Sequence, residues 1–324
     1  MMLAYFDIEN LLSFVRSATK ERHSDCCRML RTHFDIRFNF PKQRMRDYPE
    51  LMLWITTMTQ GAKGTVSFLD ESVFPPRPLK SNTYKTFNKD QLSAVYLIND
   101  ERISSFTSNG VIMYSSVGNE VDTLSSLFKD EDYGFDREMQ ISTLRSWDEA
   151  LNGQIVPTTD IIIHYRYILS DETLYDTNLY SLIGKLCQKV HNTSVNITIF
   201  SLHSFQHFTP EWGTIRSRIK SLVKGITGQE PKVTFVIQHR MIEHDRIIFT
   251  NYQYIVSGDS FNYFDSRGNV ISGGEFLRIQ SLARKEYYNN AMAFIDRMQG
   301  IINKLKVINP DGIKFDKSSL YLHF

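Results

Sequence analysis

The strongest constraint on the fold is an alternation of apolar runs and helical segments between residues 160 and 237. Apolar runs at 160–169, 195–200 and 233–237 have the length and β-branched content of buried strands. Helices between consecutive strands return the chain to the edge where it started, so the strands pair in parallel. The sequence therefore predicts an α/β domain over residues 151–324, with a mixed, mostly parallel sheet and flanking helices.

The two connecting segments have helical periodicity. The first, at about 179–190, repeats apolar residues along one stripe. The second begins at Pro210, which suits a first helical turn, and Gly225 is predicted to end it. A third helix is predicted from Glu275 to Lys306, entered through Gly273 and Gly274, and the tail at 308–324 is predicted to form a turn and a short strand.

A polar pattern follows the third strand. Its residues are His244, Arg246, Asn251, Gly258, Ser260 and Asn262. The spacing resembles the signature of the phospholipase D superfamily, a His-x-Lys pair with an Asp five residues after the Lys and then a Gly-Ser-x-Asn turn. Arg246 stands for the Lys, Asn251 stands for the Asp, and Asp259 is inserted after Gly258.

The resemblance implies a phospholipase D-like fold and a role for each matching residue. His244 would be the nucleophile, Arg246 would hold the phosphate, and Asn251 and Asn262 would complete the catalytic set. Gly258 and Ser260 would add phosphate contacts. Arginine binds phosphate through two parallel hydrogen bonds, whereas Asn251 lacks the charge that stabilises an imidazolium. We therefore expect phosphate binding to survive better than turnover, with no metal or other cofactor.

The same segment is also similar to the C-terminal domain of eukaryotic MIT-domain proteins, a phospholipase D-like domain that binds membranes without catalysis. The matching residues are His244, Asp245, Arg246, Asn251, Gly258, Tyr263 and Phe264. Two function classes follow from the resemblances. One is a non-catalytic or weakly active module that recognises phosphate on nucleic acid or another ligand, and the other is a metal-independent phosphodiesterase or nuclease.

A second His-x-Arg match lies in the first strand, at His164 and Arg166, with Asp171 five residues further on. Active members of the superfamily pair two such motifs, so His164 and Arg166 are candidate phosphate ligands. No glycine-led strand follows Asp171, and a core strand with a polar end explains the same residues. If the motif at His244 stands alone, a complete active site requires a homodimer.

Residues 1–150 are predicted to form a separate α+β domain of unknown role. Helices are predicted at 8–17, 25–34 and 50–59, and strands at 35–40, 66–69, 92–98 and 111–114. The opening strand followed by Asp7 and Asn10 resembles NYN-type nucleases, where these residues would help to hold a metal. No later strand-end acids complete such a set, so Asp7 is interpreted as a helix N-cap.

Whole-chain properties limit the partners. The net charge of +1 excludes a global basic field, so affinity for nucleic acid must come from local patches. The basic and aromatic residues at 74–89 are one such stretch, although a solvated loop over the N-terminal domain explains them better. Three cysteines provide no disulfide framework. No signal peptide or 18-residue apolar run is present, so we expect a cytoplasmic protein without a transmembrane segment. The resemblance also implies a protein partner, within a bacterial multi-component system such as phage defence.

Overall fold

The computed structural model describes residues 1–69, 88–99, 107, 110, 112–128, 134–205, 208–240, 245–271 and 276–324. The chain divides into two compact units. Unit 1 comprises Met1–Phe135 and Ser281–Asn290, and unit 2 comprises Asp136–Gln280 and Ala291–Phe324. His244, the segments at 74–80 and 84–87, Gly273 and Gly274 lie outside the described residues.

Unit 1 is built on a parallel sheet of five strands in the order β3-β2-β1-β4-β5. Its strands are β1 (Met2–Phe6), β2 (Phe34–Phe38), β3 (Val66–Phe68), β4 (Val95–Leu97) and β5 (Tyr114–Ser115). Its helices are α1 (Ile8–Arg16), α2 (His23–His33), α3 (Pro49–Thr59), α4 (Lys89–Leu92) and α5 (Glu120–Ser125).

The central position of β1 explains its composition. All five residues of β1 are buried, as expected for a strand with both faces covered. Tyr5 stacks on Tyr96 of the neighbouring β4, with ring centroids 4.8 Å apart. Because strands and helices alternate and the strands pair in parallel, unit 1 is α/β, and the predicted α+β class is corrected. The strands of unit 1 are short, and the sequence contains no signal that they pair in parallel.

Unit 2 contains an eight-stranded mixed sheet in the order β13-β9-β8-β7-β10-β11-β12-β6. The strands are β6 (Asp136–Gln140), β7 (Asp160–His164), β8 (Asn196–Leu202), β9 (Lys232–Gln238), β10 (Ile247–Thr250), β11 (Gln253–Ser257), β12 (Phe276–Ser281) and β13 (Ile313–Phe315). The predicted strands β7, β8 and β9 pair in parallel. Antiparallel pairs join β9 to β13, β7 to β10, β10 to β11 and β12 to β6, so this sheet is mixed and the prediction that it is mostly parallel is wrong.

Helices cover both faces of this sheet. They are α6 (Trp147–Ala150), α7 (Ser181–Cys187), α8 (Trp212–Thr227) and α9 (Lys285–Ile308). One face packs against α6, α7 and α8 through a large apolar cluster. The other face meets α9, where Phe294 contacts the rings of His164 and Tyr254.

Two predicted boundaries in unit 2 are wrong. Helix α8 continues past Gly225, and Gly228 ends it in the left-handed conformation, with φ at +77°. The segment predicted as helix from Glu275 begins instead with β12, and α9 starts at Lys285. The predicted turn and strand of the tail are confirmed at Pro310–Gly312 and β13. Within the described residues, no helix is both long and apolar enough to cross a membrane.

Candidate phosphate-binding site

The two ends of the parallel strands in unit 2 differ in accessibility. At the amino end the C-terminal tail is hydrogen-bonded to all three strands: Ser319 and Leu320 to Asp160 of β7, Ser318 to Asn196 of β8, and Asp316 to the main chain of β9. Ligands of open α/β sheets bind outside the carboxyl ends of the strands. The candidate site therefore lies at the carboxyl end, where β7 leads into Tyr165 and Arg166.

Arg246 stands at this end, immediately before β10. The pairing of Ile247 with His164 continues the register to Arg246 beside Tyr165. The Arg246 guanidinium donates from Nη1 to the carbonyl oxygen of Gly258, at 3.1 Å. Its Nε is buried and meets no hydrogen-bond acceptor in the described part of the chain, and no carboxylate there lies within 4.0 Å of it. Arg246 thus has no carboxylate partner in the described chain, and its guanidinium is half-buried at this end of the sheet.

The turn after β11 forms a hydrogen-bonded wall beside Arg246. The Ser260 hydroxyl lies 3.0 Å from the Tyr165 hydroxyl and accepts from the main-chain N–H of Asn262 at 2.8 Å. The Tyr263 hydroxyl donates to Ser257 Oγ at 2.6 Å. Burial raises the pKa of Tyr165, which keeps its phenol protonated at neutral pH and able to donate. These hydrogen bonds tie the turn to Tyr165 and Tyr263, and the turn also carries the carboxyl side chain of Asp259.

Aromatic rings lie beside this turn, with Tyr167 at the surface and Phe205 and Phe208 half-buried against the apolar cluster of unit 2. The side-chain amide of Asn262 donates to the carbonyl oxygen of Tyr167 at 2.9 Å, which ties the turn to the strand end. Tyr167 is 37% exposed, and the Arg166 guanidinium lies 4.5 Å from its ring centroid. Phe205 lies 6.4 Å from Tyr167 and stacks on Phe208 at 5.7 Å. We call Tyr167, Phe205 and Phe208 the aromatic strip.

The structure brings together Arg246, Gly258, Ser260, Asn262 and Arg166 at the carboxyl end. It places two other candidates elsewhere. Asn251 lies at the amino end, where its Oδ1 accepts from Thr158 Oγ1 and from the N–H groups of Thr159 and Asp160 at 2.9–3.1 Å. His164 is fully buried against Phe200 and Phe294. Neither His164 nor Asn251 reaches the surface beside Arg246.

The sequence reasoning missed Tyr165, Tyr167 and Phe205. It followed the His-x-Arg spacing, which selects His164 and Arg166, although strand alternation puts Tyr165 on the face opposite His164. The alternation of side chains along β10, counted from Arg246, was the signal that could have identified Tyr165. The antiparallel pairing of β10 with β7 brings Tyr165 next to Arg246. Asp171 accepts from Thr173 N at 2.9 Å and begins a helical turn, which is a structural role.

In unit 1, the candidate metal-binding residues Asp7 and Asn10 are hydrogen-bonded to different partners. Asp7 occupies the N-cap position of α1 without a side-chain capping hydrogen bond, and it accepts from Asn39 Nδ2 at 3.1 Å. Asn10 is buried and donates to Glu120 at 2.9 Å and to the carbonyl oxygen of Ser115 at 3.2 Å. Among the described residues, no group of three or more His, Cys, Asp or Glu side chains is placed to hold a metal ion.

Comparison with known proteins does not identify a family, so the function is inferred from the geometry of the site. No protein-family model matches this sequence, and no curated protein matches it significantly.

Proposed function

We propose that unit 2 is a phospholipase D-like module that binds the phosphodiester backbone of single-stranded nucleic acid at the carboxyl end of its parallel strands. The observation that carries the proposal is the half-buried Arg246 guanidinium, which has no carboxylate partner in the described chain. A cation held in this way is suited to a phosphate oxygen, because charge-assisted hydrogen bonds to phosphate are strong.

The aromatic strip supports a single-stranded ligand. Proteins that bind single strands combine cations along the backbone with aromatic faces on which bases stack. Tyr167, Phe205 and Phe208 supply three neighbouring rings, and Arg166 adds a charge at the first of them. A lipid head group would use Arg246 and leave these rings without a role.

We propose binding as the main activity, because Asn251 is neutral and lies at the other end of β10 from Arg246. The alternative of metal-independent cleavage by His244, in a monomer or a homodimer, is supported by Ser260 and Asn262 beside Arg246. Cleavage assays in EDTA with the wild type and His244→Ala separate the two.

The test is fluorescence anisotropy with short DNA and RNA single strands. We expect Arg246→Ala to weaken binding by about 1.5–3 kcal/mol, the scale of a charged hydrogen bond. Arg246→Lys should recover only part of this loss, because the planar fork is absent. Tyr167→Ala should cost roughly 1–3 kcal/mol while Tyr167→Phe retains most of the affinity.

Arg28→Ala is the matched control, since it removes the same charge from an exposed ion pair with Asp25 in unit 1. Equal losses in Arg28→Ala and Arg246→Ala would contradict a local site. Tight binding to anionic vesicles without binding to either single strand would overturn the choice of ligand. Cleavage that persists in EDTA and disappears in His244→Ala would establish the enzymatic alternative.

A further inference from the structure

A separate cavity of about 690 Å³ opens on the other face of the same sheet. Its apolar lining comes from Ile301, Leu305 and Ile308 of α9, of which Ile308 is 65% exposed, and Gly300 adds no side chain to the lining. Its volume is within the range of sites for small organic ligands. The cavity therefore offers an apolar surface large enough for a heterocyclic ring.

The wall opposite α9 is formed by the last residue of β9 and the two that follow it, Gln238, His239 and Arg240. Gln238 Nε2 is buried and meets no acceptor among the described residues. The His239 ring lies 4.8 Å from that of His203. This wall therefore places the exposed basic side chain of Arg240 at the cavity.

The charges in the cavity favour an anion. Arg297 is neutralised by Asp245, at 2.6 Å. Arg240 and Lys304 have no carboxylate within 4.0 Å in the described chain. Helix α9 ends nearby at Ile308 with a partial negative charge of about half an electron, which two full positive charges exceed.

The cavity and the Arg246 site lie on different faces. Ile237 belongs to the apolar cluster that also contains Tyr165, so Gln238, the next residue of β9, faces the opposite side. The cavity is lined by none of the residues assigned to the Arg246 site. A ligand bound there would be independent of single-strand binding.

We propose that this cavity binds a nucleoside monophosphate. The phosphate lies between Arg240 and Lys304, and the base packs on Ile301 and Leu305. Both halves of the ligand are needed, because the cations recognise the phosphate and the apolar lining recognises the ring.

The test is isothermal titration of the full chain with AMP, GMP, CMP and UMP separately, and with inorganic phosphate. We expect at least one nucleotide to bind, and the Arg240→Ala/Lys304→Ala double variant to bind it at least about tenfold more weakly. Inorganic phosphate should bind much more weakly than the nucleotide. Failure of all four nucleotides to bind, or equal affinity for phosphate, would overturn the proposal.

Gly300 provides a steric test with a matched control. A Cβ at Gly300 meets no atom within 4 Å, so Gly300→Ala should keep nucleotide binding, while Gly300→Phe should abolish it by filling the cavity. The circular dichroism of Gly300→Phe and its binding of single strands should match the wild type, which shows that the chain is folded. Unchanged nucleotide affinity in Gly300→Phe would remove the ligand from this cavity.

Arg246→Ala separates this proposal from the proposed function. It should weaken single-strand binding and leave the nucleotide dissociation constant unchanged. Loss of nucleotide binding in Arg246→Ala would mean that the nucleotide occupies the Arg246 site, and the cavity proposal would be wrong.

Discussion

At the scale of single residues, Asn251 shows why an amide suits its position. Its Oδ1 accepts three hydrogen bonds, one of them from the main chain of Asp160, and its Nδ2 donates to Thr159 Oγ1 at 3.1 Å. The Asp160 carboxyl is itself fully buried. A carboxylate at position 251 would place a second buried charge close to Asp160 and would lose the donor to Thr159.

We therefore expect Asn251→Asp to lower the free energy of unfolding by about 1–3 kcal/mol at about pH 8. The loss should shrink towards about pH 5, where protonation removes one of the two charges. Urea denaturation at both pH values measures this, with Asn152→Asp as the control because Asn152 is exposed. A loss in Asn152→Asp as large as in Asn251→Asp would contradict the explanation.

At the scale of elements, the tail fixes the amino end of the parallel strands. Asp316 accepts from the N–H of Val233 at 2.8 Å and pairs with Arg216 of α8 at 2.7 Å. Ser319 and Leu320 donate to the Asp160 carboxyl. Burial raises the pKa of that carboxyl to about 7, in spite of the two donors.

This raised pKa predicts a pH dependence of stability. The native state keeps a proton on Asp160 that the unfolded chain releases above about pH 4, so the contribution of Asp160 falls as the pH rises from about 4 to about 7. Asp160→Asn should remove this component, and its stability relative to the wild type should increase across that window. Thermal unfolding of both proteins between about pH 4 and pH 8 checks the sign. A constant difference between them would contradict the raised pKa.

The elements also show what sequence patterns determine. Strands β7, β8 and β9 were predictable because each is a short apolar run between helical segments. The end of α8 was not predictable from the sequence, because Gly225 and Gly228 are both suitable residues for a helix end. The packing of Thr227 in the core decides between them. Strand β12 alternates buried and half-buried residues, yet it is short and directly precedes a long helix.

The candidate site was predicted in part, since Arg246, Ser260 and Asn262 are near one another in sequence, whereas Phe205 reaches the site only through the pairing of β7 with β8.

At the scale of the whole molecule, the net charge of +1 makes any affinity for nucleic acid a local property. Two cations, Arg166 and Arg246, lie at the candidate site. Each phosphate neutralised on a single strand contributes about −0.7 to the slope of log K against log salt concentration. We therefore expect a shallow slope of about −1.4 for the wild type and about −0.7 for Arg246→Ala.

Anisotropy titrations over a range of salt concentrations measure these slopes, and Arg28→Ala should keep the wild-type value. A much steeper slope would show that more basic residues take part than these two. A slope that Arg246→Ala leaves unchanged would place the phosphate contacts elsewhere.

The division of the chain has a consequence for its synthesis. Unit 1 draws on Ser281–Asn290, where the Tyr288 hydroxyl donates to Asp90 at 2.8 Å and the N–H of Ser281 donates to the carbonyl oxygen of Phe135 at 2.7 Å. A ribosome therefore completes the first strands of unit 1 long before it supplies its last segment. At about 5–20 residues per second, the delay between residues 135 and 290 is roughly 8–30 s. During that interval the nascent chain presents an incomplete unit 1, which a chaperone can bind and a protease can cut.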